Sequence, residues 1–298
     1  MRKKIIVSIL CLVVFQMNAI AQVFPVKLKN GNTPLRELVD PTLQSRLEKS
    51  LNNNPRWKSL IAKKKMAVGI VDLSNPEKVR FARVNGNHMM YAASLPKIAV
   101  LLAAMDAIEK GELKETSEVK NDMKLMISKS NNQATTRMID RLGYEKIEKV
   151  LTDDHYGLYD PEYGGGLWVG KRYASGGGKT NREPIKNLSH AATASQVCRF
   201  YYLLLQGKLV NEKRSKQMLD IMENPALHHK FVRTLEIIAP QARLFRKSGS
   251  WRTYHSDSIL VWGSPTRRYI LVALIDDPNG EQIIRDLVIP VEKVINGK

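Results

Sequence analysis

Ser94 and Lys97 are the residues whose types and spacing most directly suggest chemistry. They stand three residues apart in Ala92-Ala93-Ser94-Leu95-Pro96-Lys97, at the start of an apolar stretch. Residues at i and i+3 share one face of a helix, and residues 98–108 are apolar almost all round, which predicts a buried helix. Burial lowers the pKa of an amine, so a neutral Lys97 would be able to take the proton of Ser94. Alone, however, an S-x-x-K sequence occurs by chance in many proteins.

Two further motifs follow this pair along the chain. Ser130-Asn131-Asn132 lies in a short connection between two predicted helices, and Lys247-Ser248-Gly249 lies at the end of a predicted strand. Taken separately, Ser130 and Asn132 are explained as helix-capping residues, and Lys247 as one of many basic residues. Taken together, they complete the ordered set S-x-x-K, S-x-N and K-[ST]-G.

Through these motifs the chain resembles the penicillin-recognising serine hydrolases, in particular the class A β-lactamase-like branch, over residues 41–298. The resemblance implies an α/β (α+β) fold in which an antiparallel sheet, flanked by terminal helices, adjoins an all-helical lobe. It also implies that Ser94 is the nucleophile that forms an acyl-enzyme and that Lys97 is its base. Ser130 would pass a proton to the leaving nitrogen, and Asn132 would hold the amide of the substrate's side chain.

The same resemblance implies the groups that bind the rest of the substrate. Lys247 and Ser248 would bind a carboxylate, and Gly249 would let the substrate lie against the strand edge with no Cβ atom in the way. The backbone N–H groups of Ser94 and Ser250 would form the oxyanion hole, an interaction that stabilises acyl-transfer transition states.

Release of the acyl group is expected to need a glutamate, because class A enzymes activate water with a loop glutamate and a nearby asparagine. Glu162 lies about the right distance after Gly143, but Gly166 stands four residues further on. Glu183 has the expected spacing to Asn187, but it falls late in an enlarged loop. We expect Glu162 to act, with Glu183 as the alternative.

The residues after the third motif depart from the family pattern. Asp257 stands about where many class A enzymes carry an arginine for the substrate carboxylate. Arg252 is the candidate replacement. Trp251, Tyr254 and His255 either narrow the cleft or pack against the glycine-rich loop.

The order of predicted elements suggests that the two ends of the chain meet in one antiparallel sheet. A loop over residues 156–188 contains two glycine triplets, and its length is typical of a functional or disordered segment. We expect one domain over residues 22–298. Its sheet part should lie at about 41–93 and 240–298, and its helical part at about 94–239.

Residues 1–21 have the pattern of a secretory signal peptide. A basic Arg2-Lys3-Lys4 is followed by an apolar stretch and by an A-x-A-type cleavage site ending at Ala21. We therefore expect an exported protein, periplasmic or secreted after cleavage near Ala21. Loss of three basic residues and no acid lowers the formal net charge from +18 to +15.

Charge and cysteine content limit the partners. The basic balance favours an anionic envelope surface, whereas no nucleic-acid-binding module is recognisable. No convincing metal-ligand spacing occurs, so we expect no metal and no cofactor. Cys198, the one cysteine after the leader, is expected in the core rather than in a disulfide. We expect a monomer.

The leading hypothesis is an exported β-lactamase that breaks down β-lactam antibiotics through an acyl-serine intermediate and thereby confers resistance. The first alternative is a D-alanyl-D-alanine peptidase or related penicillin-binding acyl hydrolase, which would lack an efficient deacylating acid. The second is a non-hydrolytic penicillin-sensing or cell-wall-binding module. Adduct formation and turnover with a penicillin separate the three.

Overall fold

The computed structural model of the protein describes residues 24–29, 31–174 and 177–297. The predicted leader lies outside the described residues, so its cleavage stays a prediction. No helix in the described ranges is long and apolar enough to cross a membrane.

Strands and helices occur in the following order. The strands are β1 (Met66–Asp72), β2 (Arg80–Val84), β3 (Met90–Tyr91), β4 (Tyr159–Asp160), β5 (Gly165–Gly166), β6 (Trp168–Val169), β7 (His190–Ala192), β8 (Arg243–Trp251), β9 (Tyr254–Trp262) and β10 (Arg268–Asp276). The helices are α1 (Pro41–Asn52), α2 (Pro55–Ala62), α3 (Lys97–Glu109), α4 (Ser117–Ser128), α5 (Asn132–Leu142), α6 (Tyr144–Leu151), α7 (Ala194–Leu205), α8 (Glu212–Met222), α9 (Phe231–Ile238), α10 (Gly280–Asp286) and α11 (Val288–Ile295).

The main sheet joins the two ends of the chain. Its five strands run in the order β2-β1-β10-β9-β8, and every neighbouring pair is antiparallel. Strand β1 is buried along its whole length, because its apolar side chains point to both faces of the sheet and both faces are covered. An antiparallel sheet with terminal helices and a helical lobe is the predicted fold class, which is therefore confirmed.

Two hydrophobic cores lie on the two faces of the sheet. One is filled by α1, α2, α9, α10 and α11, and the other joins the sheet to the lobe of α3 to α8. Side chains alternate between the cores along β1, with Val68 and Ile70 in the first and Ala67 and Val71 in the second. Strand β8, at the edge of the sheet, also lies between the two layers, with Leu244 in the first core and Phe245 in the second.

Helix α3 is the centre of the helical lobe. Every residue from Lys97 to Ile108 is buried, as an all-round apolar pattern requires. The helix begins at Lys97, so Ser94 lies in the turn before it rather than in its first turn.

The structure corrects several element predictions. Strand β8 continues through the K-S-G motif to Trp251, so the motif lies within a strand and not at its end. The pattern of residues 281–295 predicts one closing helix, whereas the structure has two, with Pro290 in the first turn of α11, where proline is tolerated. Helices α6 and α9 were not predicted, and α9 packs in the sheet-side core although it falls within the range assigned to the helical part.

Candidate active site

The turn that carries Ser94 is held by neighbours on both sides. Ala93 has φ of 49°, and its carbonyl accepts a 3.0 Å hydrogen bond from Tyr173 Oη. On the other side, the backbone N–H of Ala92 donates to His190 O at 3.0 Å and its carbonyl accepts from Ser256 Oγ at 2.8 Å. Ser94 itself is half-buried, so the turn is held while the serine stays partly open to a ligand.

Lys97 lies at the junction of the first two motifs. Its Nζ donates to Ser130 O at 2.6 Å and to Asn132 Oδ1 at 2.7 Å, with Ser130 Oγ at 3.4 Å. Burial lowers the pKa of Lys97 to about 7. Among the described residues, no carboxylate lies within ion-pair distance of Lys97, and Ser94 Oγ makes no hydrogen bond to it. Lys97 is therefore able to be neutral near pH 7 and to accept a proton.

The second motif has two functions, because Ser130 and Asn132 accept hydrogen bonds from Lys97 while Asn131 caps a helix. Asn131, between the two named polar residues, is the N-cap of α5, and its Oδ1 accepts from Ala134 N at 2.8 Å. Ser130 adopts φ of 54°, which turns its hydroxyl and carbonyl toward the lysines. Capping therefore explains Asn131 and not Ser130 or Asn132.

Lys247 connects the third motif to the second. Its Nζ donates to Ser130 Oγ at 2.9 Å and to Ser248 O at 2.6 Å. Ser258 on β9 donates to Lys247 O at 2.9 Å, which fixes this point of β8. Burial, together with the charge of Lys97, lowers the pKa of Lys247 well below its ordinary value. Ser130 therefore lies between two lysines.

Gly249 passes directly beside the serine turn. A Cβ atom on Gly249 would lie 2.5 Å from Ser94 N and 2.5 Å from Ala92 O. This contact places β8 against the backbone N–H of Ser94, next to Ser250. The two predicted oxyanion donors, Ser94 and Ser250, thus come from backbone segments in contact with each other.

Asp257, at the position where many class A enzymes carry an arginine, takes part in a buried ion pair. It is fully buried, and its carboxylate accepts from Arg246 Nε at 2.7 Å and Nη2 at 2.9 Å. The expected replacement, Arg252, lies in the exposed turn between β8 and β9 with its guanidinium 4.3 Å from the ring of Trp251. The structure therefore does not bring Arg252 to Lys247.

Lys230 is a cation of the site that sequence reasoning missed. It is fully buried, and its Nζ donates to Gly249 O at 2.5 Å, Ser250 Oγ at 2.7 Å and Ser256 O at 3.1 Å. Burial lowers the pKa of Lys230 to about 8. It precedes α9 with φ of 56°, and no sequence motif marks it.

Tyr173 covers Lys97 from the glycine-rich loop. Its ring centre lies 4.6 Å from Lys97 Nζ, and its other neighbour is His190, with ring centres 4.0 Å apart. Burial lowers the pKa of His190 to about 4, so this imidazole is neutral at pH 7. The loop residue against Lys97 is an aromatic ring and not a carboxylate.

Among the described contacts, no hydrogen bond joins either predicted loop acid to Ser94. Glu162 is exposed in a 3-10 turn, Pro161–Tyr163, and contacts none of the motif residues in the described chain. Glu183 is buried, but it accepts from Tyr159 Oη at 2.5 Å and from the backbone N–H groups of Ile185 and Lys186 at 2.6 Å. Glu183 therefore fixes its own loop and Glu162 is exposed, and the role expected for either acid in releasing the acyl group stays a prediction.

Comparison with known families identifies the constellation. A family model described as "Beta-lactamase enzyme family" matches residues 53–123 and 115–289, which include all three motifs. The chain belongs to the beta-lactamase enzyme family. No curated protein sequence matches it.

Solved structures of beta-lactamases share the fold of this family member. A beta-lactamase from Sphaerobacter thermophilus has 18% identity and a TM-score of 0.65, covering 81% of this chain and 97% of that one. A class A beta-lactamase from Bacteroides cellulosilyticus has 18% identity and a TM-score of 0.63, covering 87% and 100%. A leucine-to-glutamate variant of PBP-A, an acyl-enzyme complex with penicillin G, has 18% identity and a TM-score of 0.64, covering 86% and 97%. At these identities the likeness establishes the fold alone.

Proposed function

We propose that this member of the beta-lactamase family is a serine hydrolase that opens β-lactam amides through an acyl-enzyme on Ser94. The observation that carries the proposal is the continuous line of polar contacts from Lys97 through Ser130 to Lys247. This line joins the three motifs on one side of the serine turn. A nucleophile, a base and a proton relay are the groups that amide opening needs.

The reaction follows from these positions. Ser94 Oγ attacks the carbonyl carbon while its proton passes to the neutral amine of Lys97. The oxyanion is stabilised by the N–H groups of Ser94 and Ser250. The carbon–nitrogen bond then breaks as Ser130 gives its proton to the leaving nitrogen and regains one from the Lys97 ammonium. Lys247 binds a substrate carboxylate by donating hydrogen bonds from its Nζ atom.

A second candidate is a penicillin-binding acyl hydrolase, such as a D-alanyl-D-alanine peptidase, in which release from a β-lactam is slow. The position of Tyr173 over Lys97 favours it, because an aromatic ring occupies the loop side of the lysine where a carboxylate would have to activate water. Acylation is common to both candidates. They differ in whether the acyl-enzyme persists.

The test mixes the protein with benzylpenicillin and with a chromogenic cephalosporin. The proposal expects a mass increase of one penicillin, absent from Ser94→Ala, and a rise in product beyond one equivalent of enzyme. A persistent adduct with no second turnover supports the penicillin-binding candidate. The absence of both an adduct and turnover would contradict both candidates and would leave the non-hydrolytic binding module.

Export is part of the same proposal. The predicted leader and the net charge of +15 that follows its removal suit a protein that works beside anionic envelope polymers. N-terminal analysis of the protein expressed with its leader should give a chain starting at Gln22 outside the cytoplasm. A chain that keeps Met1 and stays with the cytoplasmic fraction would contradict this assignment.

A further inference from the structure

Three aromatic side chains gather at the far end of β8. The ring of Tyr91 lies 5.4 Å from that of Trp251 and 5.2 Å from that of Tyr254, and the latter two lie 6.4 Å apart with nearly parallel planes. We call Tyr91, Trp251 and Tyr254 the aromatic wall. Tyr91 also contacts His190, so the aromatic wall continues toward Tyr173 and Lys97.

The direction of β8 places this wall relative to the reacting serine. Side chains alternate along a strand, so Lys247, Gly249 and Trp251 share one face of β8. On that face Lys247 contacts Ser130, the donor to the leaving nitrogen, and Gly249 contacts the backbone of Ser94. Trp251 comes next, about 7 Å beyond Gly249. The aromatic wall therefore lies on the opposite side of the serine from the leaving group, where the acyl part of an acyl-enzyme must extend.

The exposure of the wall leaves part of its apolar surface open to a ligand. Trp251 is 47% exposed, although it packs against two tyrosines. Arg252 lies 4.3 Å over its ring and helps to hold it in place. A large ring kept in position and half open to solvent presents apolar surface that a flat apolar group is able to cover.

We propose that the aromatic wall binds the acyl portion of the substrate and selects substrates whose acyl side chain carries an aromatic ring. The proposal rests on acylation of Ser94, the proposed function above, and adds the substrate class. Tyr91 and Tyr254 pack against Trp251 and orient it, and Trp251 makes the main contact with the aromatic ring of the substrate.

The experiment compares benzylpenicillin with 6-acetamidopenicillanic acid, which differs from it by the loss of the phenyl ring. The ratio of their acylation rate constants, measured by quenched intact mass, should be about 3 to 10 in the wild type, the range expected for one aromatic contact. Trp251→Ala should bring the ratio to about one, and Trp251→Phe should keep most of it. Tyr163→Ala removes an exposed aromatic ring from another surface and serves as the control, with an unchanged ratio.

The outcomes separate the two proposals. Equal rates for the two penicillins in the wild type, or an unchanged preference in Trp251→Ala, overturns the role of the wall and leaves acylation of Ser94 standing. Acylation by neither compound overturns both. A folded Trp251→Ala variant is confirmed by its continued acylation with 6-acetamidopenicillanic acid, and the Trp251→Phe variant tests the same contact if the alanine variant does not fold.

Discussion

Gly249 and Ser94 come so close that a Cβ atom on the glycine would lie 2.5 Å from the serine's backbone nitrogen. This is the contact between the strand of the third motif and the turn of the first. Because atoms at that distance overlap, the glycine is required by the packing of the two segments. The close approach also sets the position of the Ser94 N–H group, one of the two proposed oxyanion donors.

Gly249→Ala should therefore impair acylation much more than folding. The backbone of Gly249 suits alanine, but the methyl group must push β8 away from Ser94, and a displacement of this size costs about 100-fold in rate. Quenched mass measurements with benzylpenicillin give the rate. Gly177→Ala is the matched control, because its Cβ would meet nothing within 4 Å. Equal rates in the two variants would refute the steric argument.

The acylation rate should depend on the protonation of Lys97. Burial lowers the pKa of Lys97 to about 7, so the fraction of neutral amine rises as the pH increases through 7. The rate constant for acylation is expected to rise about tenfold per pH unit below 7 and to level off between pH 7 and 8. Lys97→Arg, which stays charged, should show little acylation at any of these pH values. A wild-type rate that does not change between pH 5.5 and 8 would contradict Lys97 as the base.

Lys230 should position the end of β8 as a cation. Because burial lowers its pKa to about 8, it loses charge as the pH rises above 8, and its hold on Gly249 O and Ser250 Oγ weakens. Lys230→Met should raise the penicillin concentration for half-maximal acylation about tenfold, the effect of losing one charged hydrogen bond. In the wild type, this loss of charge should lower the acylation rate above pH 8. Lys230→Arg should restore the affinity for penicillin and abolish that decline. A purely structural role predicts no change in the shape of the pH profile.

The two loop acids should have separate effects. Glu162→Gln should leave acylation and release unchanged, because Glu162 is exposed and contacts no motif residue among those described. Glu183→Gln should lower the free energy of unfolding by about 1 to 3 kcal/mol, since its buried carboxylate accepts three hydrogen bonds. Chemical denaturation and the decay of the acyl-enzyme adduct measure the two effects. A longer-lived adduct in either variant would show that the acid takes part in releasing the acyl group.

Much of the fold was predictable because its signals are local. The all-round apolar pattern after Lys97 gives α3, and the β-branched stretch at residues 66–72 gives β1, a buried strand of the main sheet. Helix α9 also carries a helical pattern in Phe231, Val232 and Leu235, so a sequence signal for it was present. Pro290 likewise marked the break in the closing helix, because proline suits the first turn of a new helix.

The rest of the site depends on contacts between distant segments. Lys230 lies in the site because its backbone adopts a positive φ before α9. The residue type at this position gives no signal of that conformation. Tyr173 meets Lys97 from a loop without helical or strand periodicity, so spacing alone could not place it. The same loop holds Glu162 and Glu183, whose contacts could not be predicted because position within a long loop says little about which side chain points inward.

The central claim is that Ser94 becomes acylated, and peptide mapping of the protein after reaction with benzylpenicillin tests it most directly. The account predicts one penicillin per chain, attached to the peptide that contains Ser94 and absent from Ser94→Ala. No adduct, or an adduct that maps to another peptide and survives in Ser94→Ala, would contradict it.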